Sequence, residues 1–232
     1  GIHAVLVHGG GPEINAMLKK IGKESVFIDG LRYTDQETMD VVQSVLCGKV
    51  NKDLVASIVR KGASAIGLSG LDDGILQAIK KTNPGKDYGL VGEITKVNPK
   101  PILSAIESNL IPVLATVALG VDQKTSYNVN ADTAAAELAI ALNAEKLMIL
   151  TDTSGVIKEE NGTKTLLTTL TQNEVNELIQ EAVITGGMIP KVECCVNAIK
   201  NGVKRTHILD GRVPHSILIE ILTDEGVGTM IY

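Results

Sequence analysis

Four stretches of this 232-residue sequence combine glycine, amide, hydroxyl and charged residues in ways that suit an anionic ligand. The first is Gly9-Gly10-Gly11, between an apolar run at residues 2–7 and a helical pattern carrying Ile14, Met17, Leu18 and Ile21. Backbone N–H groups without a Cβ can approach an anion closely, and a helix N-terminus favours negative charge. A tight strand-to-helix turn would call for the same glycines. The second is Gly30-Leu31-Arg32-Tyr33-Thr34, where one arginine precedes a helix start. A planar guanidinium matches a carboxylate, although a solvated surface arginine is the plainer reading. The third is Tyr127-Asn128-Val129-Asn130-Ala131-Asp132. Capping accounts for Asn130 and for Asp132 in a first turn, but not for Asn128. The fourth is Thr185-Gly186-Gly187-Met188-Ile189-Pro190-Lys191, a glycine pair feeding a helix with an early lysine. Fixed positive charge is what the transition state of phosphoryl transfer needs, and a lysine on a solvated face is the alternative. Beside it, Thr151-Asp152-Thr153-Ser154-Gly155-Val156 follows an apolar run and offers hydroxyls and a glycine for a nucleotide rim.

These groups can converge only if strands end beside helix starts, and the patterning predicts that arrangement. Strands are expected at residues 2–7, 63–68, 111–115, 146–150, 205–209 and 229–232, and helices at 13–21, 98–109, 130–143, 188–201 and 214–222. Thr34 with Glu37 reads as a capping box opening a long helix over 35–61, bent at Gly48, and Thr171 with Glu174 as another opening a helix to residue 182. Alternating residues at 74–80 and 90–97 around Thr82-Asn83-Pro84-Gly85 read as a hairpin. Strands alternating with helices imply an α/β fold, a mostly parallel open sheet with helices on both faces. In such a sheet ligands gather at the carboxyl ends of strands, where all four stretches fall.

Composition narrows the function. With 44% apolar residues, 21% charged residues and a net charge of −5, the chain is neither disordered nor fibrous. The acidic balance, with no basic run longer than a pair and only five aromatic residues, disfavours a nucleic-acid partner. No apolar stretch reaches the roughly 18 to 20 residues of a membrane span. Cys47, Cys194 and Cys195 lack metal-ligand spacing and read as reduced core thiols. The glycines fit neither the dinucleotide fingerprint nor a P-loop, which disfavours an NAD-linked dehydrogenase.

Taken in order, His8-Gly9-Gly10-Gly11-Pro12, Gly30-Leu31-Arg32, Asn128-Val129-Asn130-Ala131-Asp132, Thr151-Asp152 with Ser154-Gly155-Val156, and Gly186-Gly187-Met188-Ile189-Pro190-Lys191 resemble the acetylglutamate kinases of the amino-acid kinase family. The resemblance continues through Asp210-Gly211-Arg212-Val213-Pro214-His215-Ser216 and Gly228-Thr229-Met230. It implies the family's three-layer sandwich and transfer of the ATP γ-phosphoryl to the γ-carboxylate of N-acetyl-L-glutamate, a step of arginine biosynthesis. A carboxyl of pKa about 4.3 is already ionised, so that reaction needs no general base.

By this resemblance Gly10 and Gly11 hold the acceptor carboxylate, Arg32 pairs with the α-carboxylate and Asn128 holds the acetylamino end. Lys191 stabilises the transition state, and Asp132 orients lysines. Asp152, Thr153, Ser154, Gly155, Val156 and Ile157, with Val183, Ile184 and Thr185, line the nucleotide. MgATP is the phosphoryl donor, its Mg2+ held mainly by phosphates with no protein metal site. His207, Glu220 and Gly226 are expected at an arginine effector site.

The resemblance also implies a homodimer, with hexamers or a PII-type signalling partner as further options, in the cytoplasm or a plastid stroma. It divides the chain into an acceptor-binding and dimerisation lobe at 1–145 and a nucleotide-binding lobe at 146–232. The family's first strand, with its lysine and paired glycines, has no counterpart here, so residues 1–232 are expected to be one domain incomplete at its N-terminus. Two alternatives stay open: a catalytically impaired acetylglutamate- or arginine-binding module, and a kinase acting on another carboxylate.

Overall fold

The computed structural model describes residues 1–160, 162–222 and 226–232. They form two compact units, Gly1–Ala134 and Ala135–Tyr232. The elements of the first are β1 (Leu6–His8), α1 (Gly11–Lys20), β2 (Phe27–Ile28), β3 (Leu31–Arg32), α2 (Gln36–Gln43), a π-helical segment (Ser44–Val50), α3 (Asn51–Arg60), β4 (Ala65–Gly70), β5 (Leu76–Asn83), β6 (Lys86–Val97), α4 (Lys100–Glu107), β7 (Ile111–Gly120) and β8 (Ser126–Asn128). Helix α5 (Ala131–Ala141) carries the boundary between the units. The second unit holds β9 (Lys146–Thr151), β10 (Ile157–Glu160), β11 (Thr163–Leu166), β12 (Thr169–Leu170), α6 (Gln172–Gln180), α7 (Met188–Lys200), β13 (Arg205–Asp210), α8 (Ser216–Leu222) and β14 (Gly228–Ile231). The sheets are mixed and mostly parallel, with helices on both sides, as the sequence pattern predicts.

Strand β7 organises the first unit. Its sequence, IPVLATVALG, is almost wholly apolar and is buried over 112–118, the mark of a strand covered on both faces. Its first half pairs in parallel with β1, Leu6 opposite Val113 and His8 opposite Ala115, and with β4, Ala65 opposite Ile111 and Ser69 opposite Ala115. Its second half pairs with β5 in parallel and with β8 in antiparallel, Val117 opposite Asn128. A core of Ile14, Leu18, Met39, Val42, Val45 and Leu46 packs on Ala115 and Val117. Residues 2–7 were expected to form the first strand, but only Leu6–His8 do, because those are the residues that meet β7.

The expected long helix runs from Gln36 to Arg60, and the bend expected at Gly48 is a π-helical stretch around that residue. Its N-cap is Asp35 rather than Thr34. The Asp35 carboxylate accepts from Thr38 N at 2.8 Å and from Lys23 Nζ at 2.7 Å. Thr34 is instead fully buried and bridges to Gly89. The capping box at Thr171 and Glu174 forms as expected, each side chain bonding the other's backbone N–H. The hairpin of β5 and β6 also forms, its turn closed by Gly85 at φ 77°.

In the second unit β9 and β13 lie side by side in parallel, from Lys146 opposite Arg205 to Thr151 opposite Asp210. Helix α7 leads directly into β13, so its N-terminus lies toward the carboxyl ends of both strands. One face of this sheet is sealed by Val175, Leu178, Val192, Cys195 and Val196, packed on Ile149, Ile208 and Ile231. The hairpin of β10 and β11 and the short strands β2, β3, β8 and β12 are additions that the hydrophobic pattern did not announce. Among the described residues no helix is long and apolar enough to cross a membrane.

The Asp35 cap carries a stability prediction. Lys23 and Thr38 hold its carboxyl down at about 2, below its ordinary value of 3.8. A carboxylate with a depressed folded-state pKa stabilises fully above its unfolded pKa and loses that contribution as pH falls toward the folded one. Asp35→Ala should therefore cost about 1 kcal/mol near neutral pH, a difference that shrinks between about pH 4 and pH 2. Urea titrations of both proteins across that range read it directly.

Candidate functional site

The first cluster is built around the glycine turn. Gly10 sits just ahead of α1, with its carbonyl accepting from Ile14 N at 3.0 Å, and Pro12 stands in the helix's first positions, where no N–H is missed. Gly10 has a packing reason to be glycine, since a Cβ there would stand 2.8 Å from Leu46 Cδ2 and 3.1 Å from Val50 Cγ2 of the π-helical segment. Gly11 has none of that kind: the nearest atom to its hypothetical Cβ is an Arg32 terminal nitrogen at 4.0 Å. A glycine whose Cβ position meets only a guanidinium nitrogen, at a helix N-terminus, suits the close approach of an anion.

Arg32 is delivered to this place by a hairpin. Asp29 and Gly30 both have positive φ, 50° and 78°, as a two-residue I′ turn requires, so Phe27 pairs with Arg32. The Asp-Gly pair between apolar residues was a readable hairpin signal. Asp29 is itself held by Lys86 and by the Tyr88 hydroxyl, both at 2.6 Å, which keeps its carboxyl below the usual range.

Arg32 is buried to 8% exposure. One terminal nitrogen donates to Ser25 Oγ at 2.7 Å and the other to the Gly11 carbonyl at 3.4 Å, and its guanidinium carbon lies 4.8 Å from the centre of the Phe27 ring. Burial lowers its pKa, yet a guanidinium remains charged in proteins.

Asn128 joins the same cluster through a residue that the sequence assigned to capping. Its Nδ2 donates to Thr34 Oγ1 at 3.1 Å, and that hydroxyl donates to the Arg32 carbonyl at 2.8 Å. Thr34 therefore couples the β3 strand end to the β8 strand end. The turn that follows brings Ala131 close enough that a Cβ on Gly9 would touch it at 3.4 Å. Asn130 caps α5 by accepting from Thr133 N at 3.0 Å, and Asp132 sits in that helix's first turn. Gly9, Gly10, Gly11, Arg32 and Asn128 are thus gathered around α1, β3 and β8. His8, Ser25 and Thr34 also belong to this neighbourhood: the sequence reads Thr34 as a cap, gives His8 no role beyond its place in a motif, and carries no local signal for Ser25.

The second cluster lies at the carboxyl ends of β9 and β13. Asp152, Thr153 and Ser154 are exposed just beyond β9. Gly155 takes φ 128°, and a Cβ on it would stand 2.6 Å from Thr229 Oγ1, so glycine is required there. Thr229 accepts from Val156 N at 2.8 Å and donates to the Leu167 carbonyl at 2.7 Å, fixing the turn. At the end of β13, Arg212 clamps Asp210 through two nitrogens at 2.9 and 2.8 Å and holds its carboxyl down at about 2.

Thr185 and the glycine pair precede α7, and Lys191 occupies its second turn, half-buried. Val156 and Ile184, expected at the nucleotide, are 1% and 2% exposed within the hydrophobic core, so their side chains shape the wall from behind. Ile157 begins β10 and Val183 packs at the edge of that core.

The residues expected at an effector site form a separate group. His207 Nδ1 and Glu220 Oε1 lie 2.7 Å apart, both nearly inaccessible, and the other Glu220 oxygen accepts from Val227 N at 2.9 Å. Burial lowers the His207 pKa despite that carboxylate, and Nδ1 is the ring nitrogen that faces Glu220. Gly226, at φ 49°, immediately precedes Val227, whose N–H Glu220 accepts from. Among the described residues no three His, Cys, Asp or Glu side chains are grouped to hold a metal ion.

The chain is similar to known proteins along its whole length. The model of the amino acid kinase family matches residues 1–210. A protein of Clostridium kluyveri called acetylglutamate kinase is 53% identical over 232 residues, which are all of this chain and 81% of that protein. The crystal structure of smu.665 from Streptococcus mutans UA159 is 33% identical with a TM-score of 0.82, over 99% of this chain and 85% of that one. N-acetylglutamate synthase from Neisseria gonorrhoeae, solved with coenzyme A and N-acetyl-glutamate, is 27% identical with a TM-score of 0.86, over 100% of this chain and 52% of that one.

The two central glycines should part company when replaced by alanine. Gly10→Ala drives a methyl into Leu46 and Val50 and should cost about 1–3 kcal/mol, as overpacked positions do. Gly11→Ala meets nothing closer than 4.0 Å and should change stability by less than about 0.5 kcal/mol. Equilibrium unfolding in urea distinguishes them.

Proposed function

The chain belongs to the amino acid kinase family, and on that premise we propose that it transfers the γ-phosphoryl group of MgATP to the γ-carboxylate of N-acetyl-L-glutamate, a step of arginine biosynthesis. The observation that carries this reading is the first cluster: a buried arginine beside the least crowded glycine of its turn, with an asparagine side chain alongside. The name of the Clostridium kluyveri relative supports the substrate, as does the N-acetyl-glutamate bound by the synthase of Neisseria gonorrhoeae.

In this reading Arg32 receives the acceptor's α-carboxylate in its planar fork, and Asn128 hydrogen-bonds the acetylamino end. The N–H groups of Gly10 and Gly11 hold the reacting carboxylate, favoured by the α1 dipole. The nucleotide lies against Asp152 to Ile157 and Val183 to Thr185, its metal ion carried on phosphate oxygens. Lys191 supplies fixed charge to the transferring phosphoryl group, and Asp132 orients lysines. Both reactants are anions that ionise unaided, so catalysis consists of holding them together and neutralising the charge that develops. The first unit then serves acceptor binding and the second nucleotide binding.

The synthase neighbour favours one other reading, a domain that binds acetylglutamate without phosphorylating it. Hydroxylamine trapping of the acyl phosphate, with acetylglutamate and MgATP supplied, separates the two: trapped product supports the kinase, whereas acetylglutamate binding without product supports the binder. If the kinase reading holds, Arg32→Gln should raise the acetylglutamate KM by about 10- to 100-fold, the loss of a charge-assisted contact of about 1.5–3 kcal/mol. Lys191→Ala should instead lower kcat by about 100-fold or more with a smaller change in KM. The reverse pattern would exchange the two roles.

A further inference from the structure

Asn51, the first residue of α3, is only 1% exposed and lies outside every motif discussed above. Its Nδ2 donates to the carbonyl of Val113 on β7 at 2.8 Å, to that of Leu68 on β4 at 3.2 Å, and to His8 Nε2 at 3.1 Å. Three acceptors share two hydrogens, so every donor of this carboxamide is spent. Its Oδ1 accepts from Lys52 Nζ at 3.2 Å, which also reaches the Gly67 carbonyl at 3.2 Å. Gly67 makes the room, because a Cβ there would overlap Asn51 Oδ1. Two backbone carbonyls face the amide nitrogen, and this settles which way the carboxamide points.

That orientation dictates the tautomer of His8. Its Nε2 meets a donor and must accept, so the ring proton resides on Nδ1, which donates to the Gly9 carbonyl at 2.8 Å. Burial lowers the His8 pKa, in keeping with a neutral ring. The Gly9 carbonyl and the Gly10 N–H belong to one planar peptide and point in opposite directions. Whatever holds that carbonyl therefore aims that N–H. The three consecutive glycines would otherwise be the loosest backbone of the unit.

We propose that His8 and Asn51 are positioning residues for the glycine turn: Asn51 ties the imidazole to the β4 and β7 backbones, and the imidazole fixes the Gly9 peptide so that the Gly10 N–H faces the reacting carboxylate. Neither residue touches substrate. The inference rests on the reading of residues 9–11 as the acceptor's cradle.

Two variants separate the two ring nitrogens. His8→Asn keeps a donor at the δ position for the Gly9 carbonyl. His8→Gln keeps an acceptor at the ε position for Asn51 but loses the bond to Gly9. Backbone 15N order parameters at Gly10 and Gly11 should fall in His8→Gln from the rigid range of about 0.85 toward about 0.6 and change much less in His8→Asn, with α3 and β7 unchanged. The acetylglutamate kcat/KM of His8→Gln should fall about tenfold, the scale of a slightly misplaced contact, while its ATP KM moves less than about twofold. Equal order parameters in His8→Gln and the unaltered protein, or equal damage in the two variants, would overturn the proposal. If the order parameters respond as expected but the unaltered protein neither binds nor phosphorylates acetylglutamate, the positioning stands and the acceptor reading fails.

Discussion

Backbone pairing along β7 is the constraint from which the first unit follows. A ten-residue strand buried over most of its length cannot leave N–H and C=O groups unpaired without a cost of a few kcal/mol apiece. It meets this demand with four strands, β1 and β4 along its first half and β5 and β8 along its second. Pairing sets register, and register sets where side chains arrive. His8 and Ser69 stand opposite Ala115, and Asn128 stands opposite Val117, so the glycine turn after β1 and the asparagine at the end of β8 reach the same stretch of one strand. Asn51 reinforces the arrangement by donating to carbonyls of both β4 and β7.

Packing of the long helical run against that sheet explains the turn itself. Seven residues of π-helix, Ser44–Val50, present Leu46 and Val50 to Gly10. An element whose wider turn is frequent at functional sites here shapes the backbone of a candidate binding loop. Gly10 and Gly11 are adjacent and chemically identical, yet packed side chains crowd the space above the first, while only an Arg32 nitrogen at 4.0 Å approaches the second. The distinction is invisible in a run of three glycines.

The second unit works by the same logic with different parts. Of the two parallel strands, β9 is followed directly by Asp152 and β13 ends in Asp210, and α7 directs its N-terminus to the same end. Thr229 on β14 secures the Gly155 turn from across the sheet. Val156 and Ile184, next to exposed residues of the rim, anchor it to the hydrophobic core. A rim anchored in this way can present hydroxyls and backbone groups to a nucleotide without giving up its shape.

Much of this was determined by sequence alone. The α/β class, the helices from α1 to α8, the Thr171 capping box and the ordered motifs that mark the family all follow from local periodicity, capping chemistry and residue spacing, each of which acts over a few neighbouring residues. The misjudged elements share a cause. Thr34 resembled an N-cap because Glu37 follows at the right distance, but long-range pairing with Gly89 and Asn128 claimed it and left the cap to Asp35. Residues 2–5 continue the apolar run, yet among the described residues no strand pairs with them. Asn51 reads as an ordinary polar residue in a helix, and its carboxamide acquires meaning only through His8, Leu68 and Val113, brought to it from 43, 17 and 62 residues away. Sequence settles what each residue can donate, accept or fill; which of those capacities is used depends on the partners that folding brings near, and for a buried polar group those partners lie far along the chain.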